Sequence, residues 1–217
     1  MAAESLPAAA VTLEISRGPK TMSMQLALFD VPLARETGVP DGFRYQPEFL
    51  APDEEQALVA RVRDLPLREF DFHGYIGHRR VVSYGWRYDF GERRLRHADA
   101  IPDFLLALRE LVAPFAGLDP DALEQVLVSE YAPGAGIGWH RDKPVFGEVV
   151  GVSLLAPCVF RFRRSVGQRW RRAHVVAEPR SVYLLSGPAR GAWEHSIPPV
   201  KALRYSITFR TLRNAHH

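Results

Sequence analysis

The sequence predicts a mainly β protein: a sandwich or barrel of antiparallel strands with two flanking helices on its N-terminal side. Three observations predict it. After residue 120 the chain becomes a series of short segments rich in β-branched and aromatic residues: "LEQVLVSEY", "EVVGVSLL", "CVFRFRR", "RAHVVAE", "SVYLLSG" and "RYSITFRTL", separated by Gly and Pro. No helix of a dozen residues lies between them, which argues against a parallel α/β fold. Ahead of them stand two stretches with helical periodicity.

The first helix is "APDEEQALVARVRDLP". Pro52 suits its first turn, and Asp53, Glu54 and Glu55 suit its positive end. Leu58, Val62 and Leu65 form its apolar stripe, and Pro66 stops it. The second is "IPDFLLALRELVAPF", with Ile101, Leu105, Leu108, Val112 and Phe115 on its buried side and Pro114 marking its end. Both are expected to brace one face of a sheet. Between them runs "LREFDFHGYIGHRRVVSYGWRYDFGERRLRH", aromatic, basic and dotted with glycine. Residues 65–100 are a candidate substrate flap, a hairpin whose rings stack on bases while its arginines hold phosphates. Phe72 and Phe90 are assigned to the core. Tyr84, Trp86 and Tyr88 share a strand face by parity and are candidate base contacts, with core filling as the alternative.

A chain of 217 residues fits one domain. Residues 1–24 read as a disordered or dispensable tail without a secretory leader, and 25–217 as a single domain with its β core at 120–212. No run approaches the apolar length of a membrane span. Cys158 is the only cysteine, so no disulfide forms within the chain, and a reducing, cytoplasmic setting is expected. In "LLAPCVFRF" it reads as a small buried hydrophobe. No extended apolar surface stripe is evident, so a monomer is expected.

Net charge is only +3, from 28 basic and 25 acidic residues, so the local distribution carries the information. "RFRRSVGQRWRRAH" holds Arg161, Arg163, Arg164, Arg169, Arg171 and Arg172 with no acid among them. "HRRVVSYGWRYDFGERRLRH" adds a second cluster that begins at Arg79 and Arg80. Arginine favours bidentate phosphate contacts. Arg79, Arg80, Arg161, Arg169 and Arg171 are therefore candidate nucleic-acid contacts, with an ordinary solvated surface as the alternative.

The chemistry centres on "YAPGAGIGWHRDKP", residues 131–144. Side chains two apart on a strand point the same way, so His140 and Asp142 place an imidazole and a carboxylate on one face. Alone, that pair is a weak signal. A third ligand is offered by His195, in "GAWEHSIPPV" just before the last strand. Two histidines and a carboxylate make the facial triad of non-haem iron(II) oxygenases, although zinc accepts the same donors. The glycines of "PGAGIG" are no phosphate loop, since no Gly-Lys-Ser/Thr follows, and a zinc hydrolase lacks its His-Glu-x-x-His. In "LRYSITFR", Tyr205, Ile207 and Phe209 face the core, while Arg204, Ser206, Thr208 and Arg210 face the metal side. A guanidinium turned inward is costly unless paired. A dicarboxylate suits Arg204, and Asp142 suits Arg210.

His140-x-Asp142, His195 and Arg204-x5-Arg210, with "YAPGAGIGWHRD" and "RYSITFR", resemble the AlkB family of iron(II)- and 2-oxoglutarate-dependent dioxygenases over roughly residues 65–212. The resemblance implies a double-stranded β-helix, or jelly roll, with a nucleotide-recognition flap. It implies that His140, Asp142 and His195 hold Fe(II) and that Arg204 binds the distal carboxylate of 2-oxoglutarate. Arg210 would support that site near Asp142, and Tyr131 would donate its hydroxyl to the co-substrate. Ser129 stands where the family usually carries asparagine. It implies oxidative removal of N-alkyl groups from nucleic-acid bases with O2 as oxidant, yielding succinate, CO2 and an aldehyde. DNA repair is favoured over action on RNA. The same chemistry on a protein or small molecule is an alternative, as is a metal-supported nucleic-acid-binding module without turnover.

Overall fold

A computed structural model describes residues 38–72 and 75–213, with the side chains of 70–78 excepted. The tail expected at 1–24, its boundary, and the rings of Phe70, Phe72 and Tyr75 lie outside the described residues. The elements run β1 (Phe43–Gln46), α1 (Pro52–Arg63), β2 (Arg68–Phe72), β3 (Tyr75–Tyr84), β4 (Trp86–Asp89), β5 (Arg94–His97) and α2 (Asp103–Ala116). After a 3-10 turn at Pro120–Ala122 come β6 (Gln125–Tyr131), β7 (Ile137–His140), β8 (Phe146–Leu154), β9 (Cys158–Val166), β10 (Arg169–Ala177) and β11 (Ser181–Leu185). The short helix α3 (Gly187–Gly191), β12 (Glu194–Ile197) and β13 (Arg204–Leu212) complete them.

The major sheet has the order β1-β11-β8-β13-β6-β3-β2 and the minor sheet β10-β9-β12-β7; β4 and β5 form a separate pair. From β6 onward the chain alternates between the sheets, with β9 and β10 as a hairpin in the minor one. Every pairing is antiparallel. The fold is a double-stranded β-helix, a jelly roll.

Parity divides the core in two. Outward-facing Val126, Val128, Val150, Val152, Ile207 and Phe209 of the major sheet pack against Val59 and Val62 of α1 and Leu105, Leu108 and Val112 of α2. Inward-facing Phe160, Phe162, Tyr183, Leu185 and Tyr131 fill the space between the sheets. The helices thus brace one face, as their stripes predict. Val59 takes the buried place in α1 expected of Leu58, which is half-buried beside it. Pro114 does not end α2: the helix runs on to Ala116 and stops at left-handed Gly117. Cys158 is buried, as its apolar setting predicts.

The flap segment departs from expectation at Gly85. Its φ of +70° ends β3 at Tyr84, and β4 starts one residue later. The chain turns there, so parity does not carry across it. Tyr84 drops into the core, 5% exposed, and is not a base contact. Trp86 instead packs on His97 across the β4–β5 hairpin, ring centroids 3.9 Å apart. Phe90, assigned to the core, is exposed.

Candidate active site

His140 is the last residue of β7, and His195 lies directly opposite it on β12. Antiparallel neighbours share a face, so register alone brings the imidazoles together, with ring centroids 4.3 Å apart. Asp142 lies in the loop just beyond β7 rather than on the strand, so strand parity does not place it. Its Oδ2 stands 3.7 Å from His195 Nε2, and its Oδ1 faces Arg210 at 3.2 Å. His140 Nδ1 donates to the Gly138 carbonyl oxygen at 2.8 Å, which leaves Nε2 with its lone pair free for a ligand.

These groups line a cavity between the sheets that also touches Ser129, Tyr131, Tyr183, Ser206, Thr208 and Arg79. Burial, aided by neighbouring cations, pushes His195 down to about 3, so it is neutral. Burial alone would raise the Asp142 carboxyl; the neighbouring guanidinium groups, Arg210 foremost and Arg190 with it, outweigh it and hold it well below the ordinary carboxylate range. Two neutral imidazoles and an ionised carboxylate are the donor set for a divalent ion of the iron class. The three converge without standing at ligating distances: among the described residues no three His, Cys, Asp or Glu side chains do.

Arg204 is fully buried. Its Nε and one terminal nitrogen donate to Ser153 Oγ, at 3.2 and 3.0 Å, and its guanidinium carbon lies 5.1 Å from the Tyr131 ring centroid. Its other terminal nitrogen is buried without a partner, and no carboxylate among the described residues pairs with it. A buried cation with an orphaned donor calls for an anion, and a carboxylate on a small molecule meets both needs.

Residues 42–210 match the 2OG-Fe(II) oxygenase superfamily. The chain belongs to that superfamily, in its AlkB family. It is 31% identical to an Arabidopsis thaliana protein named as an alkylated DNA repair protein, ALKBH8 homolog, over 82% of this chain and 60% of the relative. It therefore spans less than two thirds of that relative's length. It is 33% identical to the alpha-ketoglutarate-dependent dioxygenase AlkB of Salmonella typhimurium, over 46% of this chain and 49% of that one. In fold it resembles OsALKBH1, with a TM-score of 0.58 and 18% identity over 78% of this chain and 96% of that one. Fe(II), 2-oxoglutarate and O2 are the cofactors this AlkB-family membership brings. The donor set and the orphaned nitrogen of Arg204 fit the metal and the co-substrate.

Other sequence candidates of this AlkB-family chain fall elsewhere. Arg79, expected on a phosphate-facing surface, is buried and lines the cavity, 5.8 Å from the Tyr131 ring centroid. Arg80 points outward, but its fork is taken by Glu130, at 2.7 and 2.9 Å. Trp86 and Tyr88 sit on the β4–β5 hairpin; Lys143, one residue after Asp142, stands 5.2 Å over Tyr88 and 4.8 Å over Phe90. Arg161, on the minor sheet face turned from the cavity, reaches Ser196 Oγ at 3.1 Å and lies 5.0 Å over Trp139. Arg169 is exposed at the β9–β10 hairpin end, and Arg171 lies 5.6 Å over Trp193.

Sequence reasoning missed several residues. Buried Arg190 donates to the carbonyl oxygens of Lys143, Phe146 and Gly147, each at 2.8 Å, and so fixes the loop after Asp142. Gln125 accepts from Arg210 at 2.8 Å, which aims that guanidinium at Asp142. Ser153 holds Arg204. No local motif marks any of them; strand parity from Arg204 and Arg210 could have found Ser153 once the register was known.

Proposed function

We propose that the chain is an Fe(II)- and 2-oxoglutarate-dependent dioxygenase that removes N-alkyl groups from nucleic-acid bases, with DNA as the favoured substrate. The observation that carries it is the buried guanidinium of Arg204, without a carboxylate partner and with one nitrogen orphaned, close to a cavity that gathers two imidazoles and a carboxylate. His140, Asp142 and His195 hold the iron. Bound there with 2-oxoglutarate and O2, the metal supplies the oxidation of the N-alkyl carbon, after which the hemiaminal releases an aldehyde.

The chain's own residues do the rest. Arg210 keeps the Asp142 carboxylate ionised and occupies one oxygen, leaving the other turned toward His195. Gly138 fixes the His140 tautomer. Arg204 clamps the distal carboxylate of the co-substrate, with Tyr131 beneath it; Ser129 and Ser206 complete that wall. A duplex base cannot enter a cavity between two sheets, so the substrate is flipped or unpaired. Trp86 and Tyr88 on the β4–β5 hairpin and Lys143 offer it rings and a charge at the Asp142 loop, and the β9–β10 arginines offer phosphate contacts. The Arabidopsis relative's name mentions alkylated DNA repair; relatives from Xenopus tropicalis and Mus musculus are named as tRNA methyltransferases, which keeps RNA as the alternative.

Succinate and aldehyde release across methylated and etheno-modified DNA and RNA oligonucleotides tests the reading. DNA-dependent release, lost in His140→Ala and Asp142→Ala, is expected. Release from RNA alone reverses the preference, and no release from any oligonucleotide defeats the substrate class.

A further inference from the structure

We propose that Tyr183 is a co-substrate-positioning residue, its phenol seated over Gly151 and donating to the carboxylate that Arg204 clamps. The proposal rests on the co-substrate reading above.

Strand register lays the inward side chains of the major sheet in rows. Ser129, Ser206, Ser153 and Ser181 make one row; Leu127, Thr208, Gly151 and Tyr183 make the next. The first row carries four short hydroxymethyl groups, which leave the middle of the cavity beyond their reach. Gly151 opens a gap in the second row, and the Tyr183 ring fills it. A Cβ on Gly151 would stand 2.1 Å from Tyr183 Cζ and 2.4 Å from its hydroxyl oxygen. No left-handed φ calls for glycine here; the absent side chain is needed for the ring.

The phenol so held lines the cavity together with Ser129, Tyr131 and Ser206. It lies within electrostatic reach of both Arg204 and Tyr131. Burial pushes its hydroxyl well above the ordinary range, so it stays protonated and able to donate. A phenylalanine would fill the same gap, so packing alone does not account for an oxygen placed there. Tyr131 and Tyr183 both line the cavity, Arg204 stands over the Tyr131 ring, and one Arg204 nitrogen is buried without a partner. A carboxylate has about four acceptor positions. Ser129 is too short to reach far into the cavity, and Tyr183, three strands away on the same sheet, brings a longer donor to it.

The test uses the Mn(II)-loaded full chain and calorimetric titration with two chelators: 2-oxoglutarate, and oxalate, which lacks the distal carboxylate. Tyr183→Phe, which keeps the ring, should weaken 2-oxoglutarate about tenfold or more, as losing a hydrogen bond to a charged group does. Oxalate affinity should not change. Gly151→Ala, which displaces the phenol while leaving it in the chain, should give the same selective loss. Equal loss for both chelators, or none, overturns the role. Arg204→Ala separates the two layers of argument. If it loses 2-oxoglutarate selectively and Tyr183→Phe does not, Tyr183 alone is wrong. If it loses neither chelator, the clamp itself is wrong and Tyr183's role falls with it.

Discussion

Burying a guanidinium strips the water that stabilises its charge, and Arg204 is buried with Ser153 as its hydrogen-bond partner and one nitrogen orphaned. Such a residue burdens the fold until an anion arrives. Arg204→Met should therefore leave the melting temperature of the ligand-free chain unchanged or higher. It should also abolish the stabilisation by 2-oxoglutarate, which for the natural chain with metal reaches about 2.7 kcal/mol at a hundredfold excess over Kd. Thermal denaturation with and without co-substrate measures both. Glu130 is a contrasting case. The hydrogen bond from Arg80, against some opposition from burial and with help from Tyr205 at 3.0 Å, holds its carboxyl below the ordinary range. A depressed carboxyl stabilises the fold above its unfolded value, about 4.3, and loses that contribution as pH falls through the lower folded one. Urea denaturation should find Glu130→Gln less stable than the natural chain at pH 7, with the gap closing below about pH 4.3.

At the scale of elements, legibility tracked how local the determinant was. Both helices, the β texture after residue 120 and the inward face of β13 follow from periodicity, and all were readable. Arg204, Ser206, Thr208 and Arg210 share a face because a strand forces alternation, so the inward pair of arginines could be seen before the fold. Parity failed where one residue breaks a strand. Gly85 is that residue: a Cβ there would stand 2.1 Å from the Glu124 carbonyl oxygen, and its φ is left-handed. Tyr84 and Trp86 therefore face different environments, and nothing in their spacing reveals it. Asp142 reached its place from a loop held by Arg190, a long-range contact that sequence does not encode locally. Gly85→Ala should cost about 2 kcal/mol or more through strain and clash. Equilibrium unfolding measures this, and the loss should exceed that of Gly91→Ala in the nearby β4–β5 turn, where the nearest atom is 3.4 Å away.

Across the whole molecule the two sheets divide the labour. The major sheet is braced by helices and carries the buried Arg204 and Arg210. The minor sheet carries both imidazoles on its inner face, and on its outer face it seats Arg163 between Trp139 and Trp170, at 4.6 and 4.5 Å, with Glu194 at 2.5 Å. That stack covers the strands bearing the histidines and ties β9 to β7 and β10 on the outer face. Even so, β7 lies at the sheet's end with β12 as its hydrogen-bonded neighbour, and it delivers His140 from its last residue. A cation gripped by His140, Asp142 and His195 would rivet that terminal strand to the one beside it. Chelating the metal should thus do more than stop turnover. It should loosen the border of the molecule, speeding amide exchange and protease cutting around residues 132–145 while α1 and α2 stay protected. Identical exchange in the loaded and stripped chains would show that the border keeps its shape without the ion.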